Sequence, residues 1–69
     1  MNPDQQRYRR LCDLLGGQAE TARLVGVTEN HLRKKCSGKA AILPRDWVSI
    51  ANALKLREHE IRQELEQLS

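Results

Sequence analysis

Five polar residues stand close together near the middle of this 69-residue chain: Thr28, Glu29, Asn30, Arg33 and Lys34. Arginine can donate two parallel hydrogen bonds to guanine, and asparagine can bond adenine in the same two-point way. Lysine can reach guanine or a phosphate, glutamate can accept from the cytosine amine, and threonine can contact a thymine methyl group or a phosphate. If these side chains share one face of a helix, their chemistry suits reading the base edges of DNA.

Further cations surround this cluster. The candidates for contacts with the phosphate backbone are Arg23, Lys35, Lys39 and Arg45. Such contacts set affinity and not sequence preference. Residues 1–45 hold nine basic and four acidic residues, a net +5, whereas residues 46–69 hold three basic and five acidic residues, a net −2. A basic front half suits nucleic-acid binding, although charged helices are also commonly just solvated. The arginines of the first helix (Arg7, Arg9 and Arg10) are expected to form a solvated face.

Helices are predicted throughout. Asn2 can cap a first helix that has Pro3 at its first position, and Gly16 with Gly17 ends it. Two short helices should follow, at residues 18–25 and 28–36, joined by a tight turn at Gly26. The small side chain of Ala22 allows them to approach closely. Leu32 and Cys36 then face the core, which leaves the polar cluster on the outside.

Pro44 should open a fourth helix, whose apolar stripe is Trp47, Ile50, Ala51 and Leu54. We interpret residues 55–57 as a short link and predict a fifth helix over about residues 58–68. Ile61, Leu65 and Leu68 lie on one side of that last helix. The expected architecture is a compact all-α domain of five helices spanning residues 1–69.

Composition argues against several classes of function. Two cysteines (Cys12 and Cys36) without Cys-x-x-Cys spacing indicate neither a disulfide framework nor a zinc site, and neither histidine has partners at ligand spacing. No apolar run approaches transmembrane length and no signal peptide is visible. Catalytic triads, glycine-rich phosphate loops and enclosed carboxylate pairs are also missing. We expect a cytoplasmic protein that is not an enzyme and needs no metal, cofactor or small-molecule ligand.

Residues 18–36 resemble the helix-turn-helix of the phage lambda Cro and repressor group. The likeness lies in the pattern Q-x-x-T-A-R-x-V-G-V-T-x-x-x-L, and the downstream stretch I-L-P-x-x-W-V-x-I-A-x-A-L-x-L followed by E-I-R is similar to later helices of repressor-like domains. The resemblance implies a small transcriptional regulator, often a phage or mobile-element autorepressor, bound to double-stranded DNA in the bacterial nucleoid. It also implies a phosphate contact for Gln18. Size and family type alone suggest a regulator encoded beside anti-CRISPR genes.

Lys35 departs from the family pattern, which often places a bulky apolar residue such as Trp there. Either Cys36 takes over that packing or the end of the helix is frayed.

Related proteins bind palindromic operators as homodimers, with half-sites about one helical turn, roughly 34 Å, apart. The terminal stripe of Ile61, Leu65 and Leu68 is the preferred dimer contact, because it lies farthest from the basic cluster. The alternative is that this helix folds back on its own core.

Protein binding and RNA binding are the two alternatives to DNA binding. A protein-interaction module, such as an antitoxin or adaptor, would use the same pair of helices, but a protein-facing helix usually carries aromatic or apolar anchors. RNA binding is the other possibility, but the sequence lacks the exposed aromatic residues that stack on single-stranded bases.

Overall fold

Four helices follow one another along the chain in a computed structural model that describes residues 2–69. They are α1 (Pro3–Leu14), α2 (Gln18–Val25), α3 (Glu29–Ser37) and α4 (Pro44–Leu68). Those residues contain no strand. The all-α prediction is therefore confirmed for the described part of the chain, and the predicted bounds of α2 and α3 agree with the structure to within one residue.

The predicted count of five helices is wrong. Residues 55–57 continue α4 as one 25-residue helix and do not form a link. The segment is Lys-Leu-Arg, three good helix formers without glycine, proline or a capping residue. Leu54 and Ile61 are seven residues apart, so the two apolar stripes stay in phase along a continuous helix.

Local signals explain where the helices begin and end. The Asn2 side chain accepts a hydrogen bond from the Gln5 N–H (2.9 Å), and the Gln5 side chain accepts one from the Asn2 N–H (3.3 Å). Gly26 ends α2 in the left-handed region with φ +79°, a conformation that costs other residues free energy. Gly38 ends α3 with φ +87°, and a Cβ atom there would lie 2.5 Å from the Gln5 side-chain nitrogen. The backbone angle thus favours glycine at position 38, whereas the flexible end of the Gln5 side chain could move away from a Cβ atom.

The core lies where the four helices meet. Its buried apolar residues are Tyr8, Cys12, Leu15, Ala22, Leu32, Cys36, Ile50 and Ala53. The Tyr8 and Trp47 rings join α1 to α4 edge to face, with centroids 5.6 Å apart. The stripe predicted for α4 is wrong at one position: Ala51 is exposed and Ala53 is buried instead.

Polar side chains complete the contacts between helices. The hydroxyl of the buried Thr21 donates to the carbonyl oxygens of Gly17 (2.7 Å) and Cys12 (3.3 Å). Arg57 of α4 donates to the Leu15 carbonyl (3.2 Å) and so satisfies an acceptor at the end of α1. The backbone of α3 packs against α1 and α2, whereas that of α4 packs mainly against α2.

The last twelve residues of the chain, residues 58–69, form an arm that does not pack on the body of the protein. Every one of them is exposed. The longest dimension of the protein is 44 Å, against 23 and 18 Å across. The alternative in which this helix folds back on its own core is therefore wrong.

Buried thiols should make the protein sensitive to alkaline pH. Burial raises the pKa of Cys12 from 9.0 to about 12, and burial also raises the pKa of Cys36. The folded state therefore holds these protons more tightly than the unfolded state. The resulting stability is complete below about pH 9 and is lost as pH rises. For Cys12 we expect the free energy of unfolding to fall by up to about 1.4 kcal/mol per pH unit above pH 9, as measured by urea denaturation between pH 8 and 11, and Cys36 should act in the same direction.

Cys12→Ala is the control for this prediction, because it removes one of the two buried thiols and leaves the other ionisable groups in place. The variant should lose stability less steeply than the wild type over the same range. Equal slopes in the two proteins would contradict the assignment to Cys12.

Candidate nucleic-acid interface

The turn between α2 and α3 determines which side chains of α3 point outward. Thr28 caps α3, and its hydroxyl accepts a hydrogen bond from the His31 N–H (3.1 Å). Leu32, Lys35 and Cys36 are buried on one side of the helix. The remaining residues must therefore face solvent, since positions three and four apart share a face.

The five residues predicted to read bases lie together on this outer surface. Thr28, Glu29, Asn30, Arg33 and Lys34 are all exposed. The part of the prediction that concerns exposure is confirmed, and the predicted contact with DNA stays a prediction. The other exposed side chains of α3, those of His31 and Ser37, are also polar, so the helix presents hydrogen-bonding groups to any partner.

An ion pair holds two of these residues to each other. Arg33 Nη2 donates to Glu29 Oε1 at 3.2 Å, one helical turn away. Both side chains are more than half exposed, and exposed pairs of this type contribute only about 0.3–0.5 kcal/mol. Arg33 can therefore exchange Glu29 for a stronger acceptor at little cost.

A shallow depression brings together residues from three helices. It is lined by Arg9 of α1, Gln18 of α2, and Arg33, Cys36 and Ser37 of α3. The lining thus includes two arginines, a glutamine and a serine. Gln18, for which the family resemblance implies a phosphate contact, and Arg33, which was predicted to contact a base, are neighbours here.

Arg9 was not among the residues predicted to contact DNA. It is exposed, as expected for the arginines of the first helix, and it also lines the depression beside Gln18 and Arg33. Arg9 follows the buried Tyr8 by one residue, so it flanks the apolar face of α1. That position was visible in the sequence, but only the packing of α3 against α1 shows which flank matters.

The start of α2 adds backbone donors to the same surface. Gly17 caps α2 without a side-chain hydrogen bond, so the first-turn N–H groups beside Gln18 lack a capping acceptor from the chain. Exposed N–H groups at the start of a helix attract anions. This arrangement is compatible with the phosphate contact that the family resemblance implies for Gln18.

The phosphate contact predicted for Lys35 is wrong. Its residue exposure is 3%, and its ammonium lies 2.5 Å from Asp46 Oδ2 at the start of α4. The pKa of Asp46 is lowered despite its partial burial, because it accepts hydrogen bonds from Lys35 and from the Leu43 N–H. Lys35 is thus an internal cation with its own counter-ion, and α3 is not frayed at this point because it continues to Ser37. The neighbouring Cys36 is buried as well.

The other three predicted phosphate contacts occupy different places. Arg23 is hydrogen-bonded to Glu20, and this pair lies close enough to Arg57 and Glu60 of α4 to interact with their charges. It therefore lies beside α4 and does not line the depression. Lys39 and Arg45 are exposed at the end of α3 and the start of α4. Lys39 is held there by its N–H, which donates to the Lys34 carbonyl (2.9 Å).

The three residues of the predicted dimer contact are exposed on the arm. The exposed fractions are 51% for Ile61, 59% for Leu65 and 83% for Leu68. They follow one another at intervals of four and three residues, so they form one stripe along the helix. The stripe has no covering partner in the described chain.

Other kinds of site receive no positive indication. Residues 2–69 contain no group of three or more His, Cys, Asp or Glu side chains that could hold a metal ion. None of the helices in that range is both long and apolar enough to span a bilayer.

Comparison with known proteins gives no match to a protein-family model, to a curated protein or to a solved structure.

Proposed function

We propose that this protein is a sequence-specific DNA-binding transcriptional regulator in which α2 and α3 act as a helix-turn-helix. In this proposal α3 enters the major groove and its outer residues contact base edges. Arg33 and Asn30 would read guanine and adenine, and Lys34, Glu29 and Thr28 would make the adjacent contacts. The observation that carries the proposal is the exposed, wholly polar face of α3 beside the depression that Arg9, Gln18 and Arg33 line.

The composition of that surface supports a polyanion as the partner. Arg9 and Arg33 supply this depression with cationic side chains of the kind that bind phosphate. The start of α2, which has no side-chain cap, adds N–H groups suited to the same kind of ligand. Lys39 and Arg45 would contact the backbone farther along, and Arg9 joins the set proposed to bind phosphate. Lys35 is excluded from this set by its burial.

Dimerisation through the arm is the second part of the proposal. A short helix without tertiary contacts is marginally stable in water, and the arm exposes three large aliphatic side chains. Packing the stripe of Ile61, Leu65 and Leu68 against the same stripe of a second protomer would stabilise the arm and bury these side chains. A two-fold dimer formed in this way would present two α3 helices to a palindromic operator.

A small DNA-binding domain can repress transcription by occupying a promoter. We therefore propose a repressor or autorepressor, as the resemblance to the Cro and repressor group implies, and a phage or mobile element is the source that this resemblance suggests.

The main competing function is a protein-interaction module such as an antitoxin or adaptor. Binding to a protein through α3 would normally use aromatic or aliphatic anchors at the centre of the contact. The outer face of α3 has none, which favours DNA over protein as the partner of this face.

The salt dependence of binding to random-sequence DNA tests the proposal. Phosphate-driven affinity falls with salt with a slope of about −0.9 per neutralised phosphate on a double logarithmic plot. Three or four cations per protomer should give a slope of about −3, measured by fluorescence anisotropy between 50 and 300 mM NaCl. Lys39→Ala should weaken binding to all sequences alike and reduce the slope by about 1.

Lys55→Ala is the matched control, because Lys55 is an equally charged and exposed residue on α4. It should leave both the affinity and the slope as in the wild type. A wild-type protein that binds no duplex even at low salt would refute the DNA-binding proposal and favour a protein partner.

A further inference from the structure

A largely buried ion pair connects α3 with α4. These are the helices proposed to read DNA and to form the dimer. Lys35 Nζ lies 2.5 Å from Asp46 Oδ2, with side-chain exposures of 4% and 15%. The same carboxylate oxygen accepts the Leu43 N–H at 2.6 Å and so stabilises the first turn of α4. One carboxylate therefore begins α4 and binds α3 at the same time.

The pair stands where backbone packing between these two helices is weak. The backbone of α3 packs against α1 and α2, and α4 reaches the body mainly through α2. Core side chains such as Ile50 and Cys36 belong to the same apolar cluster. The other directional contacts of α4, from Trp47 to Tyr8 and from Arg57 to the Leu15 carbonyl, reach α1 and its end rather than α3. A short hydrogen-bonded ion pair has a preferred geometry. Lys35 and Asp46 supply the directional contact between α3 and α4.

A small change in the tilt of α4 is amplified along the length of the arm. Core packing and the hydrogen bond from Arg57 to the Leu15 carbonyl hold α4 on the body as far as residue 57. The 11 residues of α4 beyond Arg57 form about 16.5 Å of helix at 1.5 Å per residue, so a tilt of about 10° in α4 would move the end of the arm by about 3 Å. The rise of DNA is about 3.4 Å per base pair, so this displacement corresponds to about one base pair.

We infer that the Lys35–Asp46 ion pair fixes the angle between α3 and the arm, and thereby sets the separation of half-sites that the dimer accepts. The part concerning half-sites rests on the proposed function, whereas the part concerning the angle does not. Lys35 is in this view a positioning residue that acts through α3 and α4 and touches no DNA.

The angle is tested by spin-label distance measurements on the free protein. Nitroxides at His31→Cys on α3 and Glu66→Cys on the arm occupy exposed positions, and dilution with unlabelled protein isolates distances within one chain. The buried thiols of Cys12 and Cys36 are inaccessible to the label in the folded protein. The double variant Lys35→Met/Asp46→Asn removes both charges together, so that neither is left unpaired. The amide oxygen introduced by Asp46→Asn can still accept the Leu43 N–H.

The parent protein should give one narrow distance distribution, and the double variant one at least twice as wide with the same helix content by circular dichroism. Lys35→Arg keeps a cation within reach of Asp46 and should restore the narrow distribution. If the double variant does not fold, Lys35→Met alone is compared with Lys35→Arg. An equally narrow distribution in folded protein without the ion pair overturns the inference.

The half-site part is tested with palindromic duplexes whose half-sites are separated by one additional or one fewer base pair. The wild type should prefer one spacing at least tenfold, and the double variant less than threefold, with unchanged affinity for a single half-site. If the ion pair only stabilised the fold, the double variant would have a lower melting temperature and the same spacing preference as the wild type. That result would also overturn the inference. A wild type without any sequence preference would refute the proposed function, while the distance measurement would still decide the angle.

Discussion

Replacing Arg33 with alanine should lower affinity for the preferred DNA site about 5- to 150-fold, which corresponds to about 1–3 kcal/mol. The guanidinium is exposed on the outer face of α3, and its partner in the free protein is the weakly bound Glu29. A bidentate bond to guanine would add two directional hydrogen bonds that the wrong base cannot make. The loss should therefore fall on the preferred site and relax specificity at that position.

The measurement is a competition gel shift that compares a site selected from random duplexes with a scrambled duplex at one fixed salt concentration. Arg10→Ala serves as the control, since Arg10 is also exposed but projects from α1. Both variants lose one positive charge, so they should weaken binding to the scrambled duplex by similar, small factors. If Arg33→Ala leaves the ratio of specific to scrambled affinity unchanged, Arg33 does not read a base.

The variant Leu65→Glu should convert the dimer to a monomer and weaken binding to the full palindrome about 100-fold or more. Leu65 lies in the middle of the exposed stripe between Ile61 and Leu68. A carboxylate at this point would be desolvated without a partner in the dimer, and the two copies would repel each other. Linking two half-site contacts raises affinity about 10²- to 10⁴-fold, and the monomer would forfeit that gain.

His59→Glu is the control for this prediction. His59 is exposed one and a half turns earlier on the arm, on the side away from the stripe, and the substitution also introduces one negative charge. Sedimentation equilibrium should give a monomer for Leu65→Glu and a dimer for His59→Glu. A dimer in both cases would place the interface elsewhere, and binding to a single half-site should be equal in both proteins.

The two predictions concern separable parts of the molecule. Arg33→Ala should alter base preference without altering the oligomeric state, and Leu65→Glu should do the reverse. Lys35 connects these parts, because it is the residue of α3 that bonds to the start of α4. The effects of removing it are therefore expected in the spacing of half-sites rather than in the reading of one of them.

Sequence alone determined the features that depend on local backbone chemistry. The caps at Asn2 and Thr28 and the left-handed glycine at Gly26 all act within a few residues of themselves. Helical periodicity similarly identified Leu32 and Cys36 as buried and placed the polar cluster outside. These signals are local, so they can be read without knowing how the helices pack.

Tertiary structure decided the features that depend on residues far apart in the chain. Lys35 is buried because Asp46, eleven residues later, supplies its counter-ion. Arg9 lies beside Gln18 and Arg33 because α3 packs on one flank of α1. A lone charge is costly to bury, so periodicity places every lysine on the surface, and only the position of a carboxylate on a neighbouring helix reverses that expectation.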